Sequence, residues 1–222
     1  MEYRQPQWPF NMIQRDFFTM LRDETNSYAV VTALQDELPK LLPEQILLTG
    51  VGKINATHVL TRFLERNPNI KTVINYGTAG AAFDVKKGDI IKCTTFVQGD
   101  MDCSLITDGP GVTYGDQQAV AGVLNFGTDG HICRTQDQFV TDLDAIGMFQ
   151  NLLEGRRFNC VDMEAYALAK VCALMDRDFI CYKYISDDAD SNADDEWEQN
   201  VSGGEDLFYE KLKENHGFKL IN

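Results

Sequence analysis

The chain of 222 residues carries 20 Lys and Arg against 34 Asp and Glu, a formal net charge of −14, with 44% hydrophobic and 24% charged residues. That length buries a core without disulfides or metals to staple it, and so acidic a balance excludes tracking a nucleic-acid polymer, which needs clustered cations to displace counterions. The longest apolar runs are about the size of residues 171–175, far below the roughly 18 residues that span a bilayer, so no membrane association is expected.

Residues 1–27 read as an N-terminal helical arm whose Met12, Phe17, Phe18, Met20 and Leu21 favour docking. This stretch has charges throughout and no apolar segment followed by small residues, so no secretory signal is expected and the cytoplasm is the expected compartment. Residues 28–222 read as one α/β domain. Compact apolar, β-branched runs at 28–33, 46–49, 72–75, 89–95 and 179–185 predict strands apolar on both faces, as in a sheet covered on both sides. Residues 55–66 place Val59, Leu60, Phe63 and Leu64 on one helical face, with Asn55 as the expected N-cap. Residues 98–131, rich in Gly, Asp and Thr, read as long loops with at most a short helix near 116–124. Residues 162–175 predict a buried helix. The order of elements implies a single-domain, three-layer α/β/α fold with a central mixed sheet.

The usual chemical motifs are missing. Three glycine clusters, at 49–53, 75–80 and 109–111, fit neither a P-loop nor a dinucleotide fingerprint. They are tight turns or places where backbone approaches a ligand closely. The acidic run 187–198 lacks the Gly and the terminal Glu of a calcium loop and reads as a solvated loop. His58, His131 and His216 are scattered, the six cysteines form no CxxC, and no GxSxG occurs, so neither metal nor cofactor is expected and the thiols are expected reduced. Three carboxylates stand out at element ends: Glu37 after the first core strand, Glu164 at the start of the buried helix, and Asp187 at the carboxyl end of the last strand, where open α/β sheets bind ligands.

Six blocks in the same order resemble the nucleoside phosphorylase and nucleosidase superfamily, and most closely its 5′-methylthioadenosine/S-adenosylhomocysteine nucleosidase branch. They are Ala33-Leu-Gln-Asp-Glu37, Gly50-Val-Gly-Lys-Ile-Asn-Ala56, Val73-Ile-Asn-Tyr-Gly-Thr-Ala-Gly80, Gln136-Asp-Gln-Phe139, Val161-Asp-Met-Glu-Ala165, and Ile185-Ser-Asp187 with Ala189-Asp190. The resemblance implies hydrolysis of a purine nucleoside's N-glycosidic bond, releasing base and sugar, in a homodimer. Asp187 would be the acid that protonates the leaving base, and Glu37 the base that activates water. Glu164 would hold the ribose hydroxyls and stabilise positive charge on the sugar. Met163 would pack under the ribose, Phe139 would stack on the purine, and the backbone of Val140 would read its edge. Val51, Thr78, Ala79, Gly80 and Ser186 would line the site, with Thr78 orienting Asp187 and Lys183 holding Glu164 or the ribose.

The phosphorolytic members of the superfamily carry Arg where Asn75 stands and another Arg near the first strand. Residues 28–38 contain no Arg or Lys, which favours water over phosphate as nucleophile. A phosphorylase, or a nucleoside-binding protein without catalysis, is the alternative. Only ten residues separate Leu38 from Thr49, so the hairpin that follows the first strand in this family is shortened. The loop 98–116 lacks the family's aromatic and aliphatic run, which implies a differently built pocket for the substrate's 5′ group.

Overall fold

The computed structural model describes residues 22–23, 26–107, 111–115, 122–145 and 156–216. Most of the predicted N-terminal arm lies outside them, as does the short helix expected near 116–124 up to residue 121. Of the arm, Arg22–Asp23 form β1 and Asn26–Ser27 open β2 (Asn26–Thr32), paired antiparallel.

The remaining strands are β3 (Leu47–Leu48), β4 (Thr72–Ala81), β5 (Ile90–Gln98), β6 (Val123–Asn125), β7 (His131–Thr135), β8 (Cys160–Asp162) and β9 (Asp178–Asp187). The two-residue β3 pairs parallel with β2, so no hairpin stands between β2 and the first helix. β4 runs parallel to β2 and β9; β9 then pairs antiparallel with β5, β5 parallel with β7, β7 parallel with β8, and β8 antiparallel with β4. The five strands β4, β8, β7, β5 and β9 therefore close into a ring, with β2 extending the sheet beyond β4. Parallel and antiparallel pairs coexist, so the sheet is mixed.

Alternation along the two long strands decides what packs where. On one face, Val73 of β4 and Phe179, Cys181 and Ile185 of β9 join the apolar stripe of α1 (Lys53–Arg66) and nearly all of α2 (Ala165–Leu174). On the other face, Ile74, Tyr76, Tyr182 and Tyr184 pack against Phe208 and Leu212 of α4 (Glu205–His216). Phe208 stacks on Tyr76 at a centroid distance of 4.5 Å. Full burial of such a ring contributes about 2–3 kcal/mol. Helices on both faces of a mixed sheet give the three layers.

Three expectations are corrected. The cap of α1 is Gly52; Asn55 sits inside the first turn and donates to the Val51 carbonyl at 2.7 Å. Residues 123–125 are strand β6, which pairs with β5. The acidic run is a loop only to Asn192; Ala193–Asn200 form α3. Ala193, Trp197 and Asn200, spaced i, i+4, i+7, share one face, and Asn200 donates to the Ser186 carbonyl at 3.1 Å, which docks α3 on the end of β9. Asp194, Asp195 and Glu196 occupy the first turn, where carboxylates complement the helix dipole.

Candidate active site

A cavity of about 350 Å³ opens where the carboxyl ends of β4 and β9 meet the N-terminus of α2 and one face of α3. Glu37, Val51, Thr78, Ala79, Gly80, Phe139, Val140, Met163, Glu164, Ser186 and Asp187 all line it. The sequence therefore identifies eleven of its twelve site residues as cavity neighbours. Lys183 is the exception.

Glu37 ends the 3-10 turn Gln35–Glu37 that follows β2 and is 3% exposed. Its Oε2 accepts from Thr32 Oγ1 at 2.5 Å and from the backbone N–H groups of Ala33 and Leu34 at 3.0 and 3.1 Å. Its Oε1 accepts from Thr78 N at 2.7 Å and Thr78 Oγ1 at 3.1 Å. Five donors thus converge on one carboxylate, a group that accepts at both oxygens and donates at neither.

Asp187 terminates β9. Burial raises its carboxyl above the usual range, while Ser186 Oγ at 2.8 Å and Ala189 N at 3.0 Å oppose that shift. Ala189 adopts φ +50, an uncommon left-handed conformation for a residue with a side chain. That turn swings its N–H back onto the carboxylate. Ser186 and Ala189 thus orient Asp187, correcting the role given to Thr78, whose hydroxyl serves Glu37. Gly80 lets the two strands approach here: a Cβ would lie 2.8 Å from Asp187 Oδ1.

Glu164 caps α2 in the sense of position, but the capping carboxylate is Asp162. Asp162 Oδ2 accepts the N–H groups of Glu164 and Ala165 at 3.2 and 2.8 Å, and Oδ1 accepts Thr135 Oγ1 at 2.5 Å. Lys183 Nζ lies 2.8 Å from Asp162 Oδ2, both side chains buried. Burial alone would neutralise each, yet their attraction holds Asp162 below and Lys183 above their ordinary values, so the pair is ionised. The direct ion-pair partner of Lys183 is therefore Asp162 beneath the cavity, and its charge reaches Glu164 only as a weaker electrostatic attraction.

Glu164 receives the N–H of Gly52 at 2.8 Å, which the φ of +94 at Gly52 directs away from α1. Burial, and then the negative charge of Asp162, push the Glu164 carboxyl up to about 8. Of the two neighbouring acids, Asp162 keeps the charge and Glu164 keeps the proton.

Sequence reasoning missed Trp197, Asp162, Asp194 and Glu198, which also line the cavity. Trp197 Nε1 donates to Thr78 Oγ1 at 3.0 Å. Its signal was the lone aromatic within an acidic stretch.

A family model of the phosphorylase superfamily matches residues 42–215. A 5′-methylthioadenosine/S-adenosylhomocysteine nucleosidase of Thermotoga maritima is 28% identical over 152 residues, covering 68% of each chain. One of Bacillus thuringiensis is 27% identical over 199 residues, covering 81% of this chain and 85% of that one. Among solved structures, a futalosine hydrolase mutant of Helicobacter pylori superposes with a TM-score of 0.73 at 16% identity, over 85% of this chain and 97% of that one. A methylthioadenosine nucleosidase mutant of the same organism, with 5′-methylthioadenosine in its active site, gives 0.72 at 17% over the same shares. These likenesses bear out the nucleoside phosphorylase-like α/β/α fold. With a family match across more than three quarters of its length, the chain belongs to the phosphorylase superfamily.

Proposed function

We propose that this protein is a purine nucleosidase: it hydrolyses the N-glycosidic bond of a purine nucleoside of the methylthioadenosine/S-adenosylhomocysteine kind and releases base and sugar. One observation carries the choice of water as nucleophile. Among the described residues lining the cavity there are six acidic side chains, those of Glu37, Asp162, Glu164, Asp187, Asp194 and Glu198, and no Lys, Arg or His. A phosphate dianion needs cations around it. A neutral nucleoside that becomes cationic at its sugar needs the reverse.

In this reading Phe139, two-fifths exposed beside the cavity, stacks on the purine, with the Val140 backbone at its edge. Asp187, its carboxyl raised by burial, protonates the leaving base, which would otherwise depart as a poor leaving anion. Met163 underlies the ribose and Glu164 holds its hydroxyls. As the glycosidic bond lengthens, positive charge builds on the sugar beside the partly negative carboxyl oxygens of Glu164, so their stabilisation is strongest in the transition state. Glu37 orients and deprotonates water on the opposite face of the sugar. Val51, Thr78, Ala79, Gly80 and Ser186 shape the walls.

The finer assignments follow from surface and chemistry. Exposed Ile54 on α1 and Leu105, Ile106 and Tyr114 in the following loops offer apolar surface for a second copy, which supports a homodimer; light scattering reads that directly. Six free cysteines fit a reducing cytoplasm. The test of function is base release from 5′-methylthioadenosine, S-adenosylhomocysteine, adenosine and inosine, each with and without inorganic phosphate. Release from the thio-substituted adenosines without phosphate is expected. Release that requires phosphate selects the phosphorylase alternative, and binding without release selects the binding protein.

A further inference from the structure

Four of the six cysteines lie on one face of four different ring strands: Cys93 on β5, Cys133 on β7, Cys160 on β8 and Cys181 on β9. Register sets Cys93 opposite Cys181 and Cys133 opposite Cys160. Burial of any one cysteine needs no function, because the thiol is a good small core group. Convergence is another matter. The sulfurs of Cys93, Cys133 and Cys160 all lie within 4.8 Å of one another, and those of Cys93 and Cys160 are 3.8 Å apart.

That spacing has a physical meaning. Two thiolates about 2.3 Å from one tetrahedral ion stand about 3.8 Å from each other. The Cys93–Cys160 pair already has that separation, and Cys133, within 4.8 Å of both, needs to close by at most about an ångström to complete a three-sulfur face. These cysteines stand 40 and 27 residues apart in the chain, so no CxxC-type spacing announces their convergence.

The surroundings fit a cation. Three thiolates, a divalent ion and the neighbouring Asp162 carboxylate sum to −2, of which the buried Lys183 ammonium, 2.8 Å from Asp162 Oδ2, offsets one. Cys133 Sγ lies 3.3 Å from Asp162 Oδ1. Asp162 in turn lines the substrate cavity, so one residue separates the buried sulfurs from it.

We propose that Cys93, Cys133 and Cys160 form a three-thiolate site for one thiophilic d10 cation of the zinc and cadmium class, one residue behind the substrate cavity at Asp162. Binding exchanges three S–H protons for three metal–sulfur bonds and releases the protons to solvent, with no change of oxidation state, so the apparent affinity rises with pH. The site lies behind the proposed nucleosidase pocket and does not depend on that reading.

The experiment is an anaerobic titration of the reduced, chelator-treated full chain with Cd²⁺. One tightly held Cd²⁺ per chain is expected, with an ultraviolet thiolate-to-cadmium charge-transfer band. Cys133→Ser and Cys160→Ser should each weaken binding by at least about 100-fold, while Cys103→Ser and Cys172→Ser leave it unchanged. X-ray absorption on the unmodified protein supplies a measurement independent of whether the variants fold, with three sulfur neighbours expected. A folded, fully reduced chain that retains no Cd²⁺, a sulfur count below three, or a band that persists in folded Cys160→Ser overturns the assignment.

Discussion

Trp197 Nε1 lies 3.0 Å from Thr78 Oγ1, and that same hydroxyl lies 3.1 Å from Glu37 Oε1. An indole N–H only donates, so the Thr78 oxygen accepts from Trp197 and its proton is committed to Glu37. One helix outside the sheet thereby fixes the polarity of a hydrogen bond on the group assigned to activate water.

Replacing the donor while keeping an aromatic wall isolates that effect. Trp197→Phe should lower kcat about 5-fold, the worth of one neutral hydrogen bond, with little change in KM. Thr78→Val, which removes a direct contact to Glu37, should cost more. Steady-state kinetics on folded variants distinguish the two. A Trp197→Phe enzyme that loses only KM would place Trp197 in substrate binding instead.

The proposed acid, Asp187, has a pH signature. Burial raises the Asp187 carboxyl, so the protonated, competent form persists above the usual carboxylate range and is lost as pH rises through the raised value. The rate should therefore fall on the alkaline side through an ionisation that Asp187→Asn removes, along with a factor of about 10² to 10⁴ in kcat. If Asp187→Asn keeps both the rate and the alkaline limb, the proton comes from another group.

Glu164 couples the site to stability. Its folded value of about 8 exceeds the ordinary 4.5, so between those pH values the native state holds a proton that the unfolded chain has lost. Stability contributed by that proton is complete below about 4.5 and is lost as pH rises through about 8. Glu164→Gln cannot ionise and its carbonyl still accepts the Gly52 N–H. It should gain stability relative to the unmodified protein between pH 5 and 8 while losing catalysis. Urea unfolding at the two pH values checks this, and a difference that does not change with pH contradicts it.

The buried pair beneath the cavity should be asymmetric to mutation. Lys183→Met leaves the Asp162 carboxylate without its cation and should cost about 3–5 kcal/mol, whereas pairing it with Asp162→Leu should recover part of that loss. Denaturant melts of the single and double variants provide the comparison; a double variant less stable than the single would show that Asp162 matters chiefly as the cap of α2.

How much of this the sequence disclosed follows from where each signal lives. β4, β9, α1 and α2 are legible because unbroken apolar runs and one-sided stripes are local. Glu37, Glu164 and Asp187 are legible because they end such elements. β7 and β8 are not, being five and three residues long and carrying buried Arg134, Thr135 and Asp162 that read as loop. Lys183 sits inside an apolar strand, and nothing local says that its partner is Asp162 rather than Glu164. α3 hides in an acidic run because its one buried face rests on Ala193, Trp197 and Asn200, and only docking on β9 makes that face visible. The thiol cluster is long-range throughout.

In the proposed reaction water, activated by Glu37, attacks the sugar of a purine nucleoside in a cavity whose described lining has no cation. Turnover of 5′-methylthioadenosine in ¹⁸O-labelled water with phosphate present measures this directly. One labelled oxygen on the released sugar, with free adenine and no sugar phosphate, is the result predicted. A sugar phosphate, or unlabelled sugar released with the base, would contradict it.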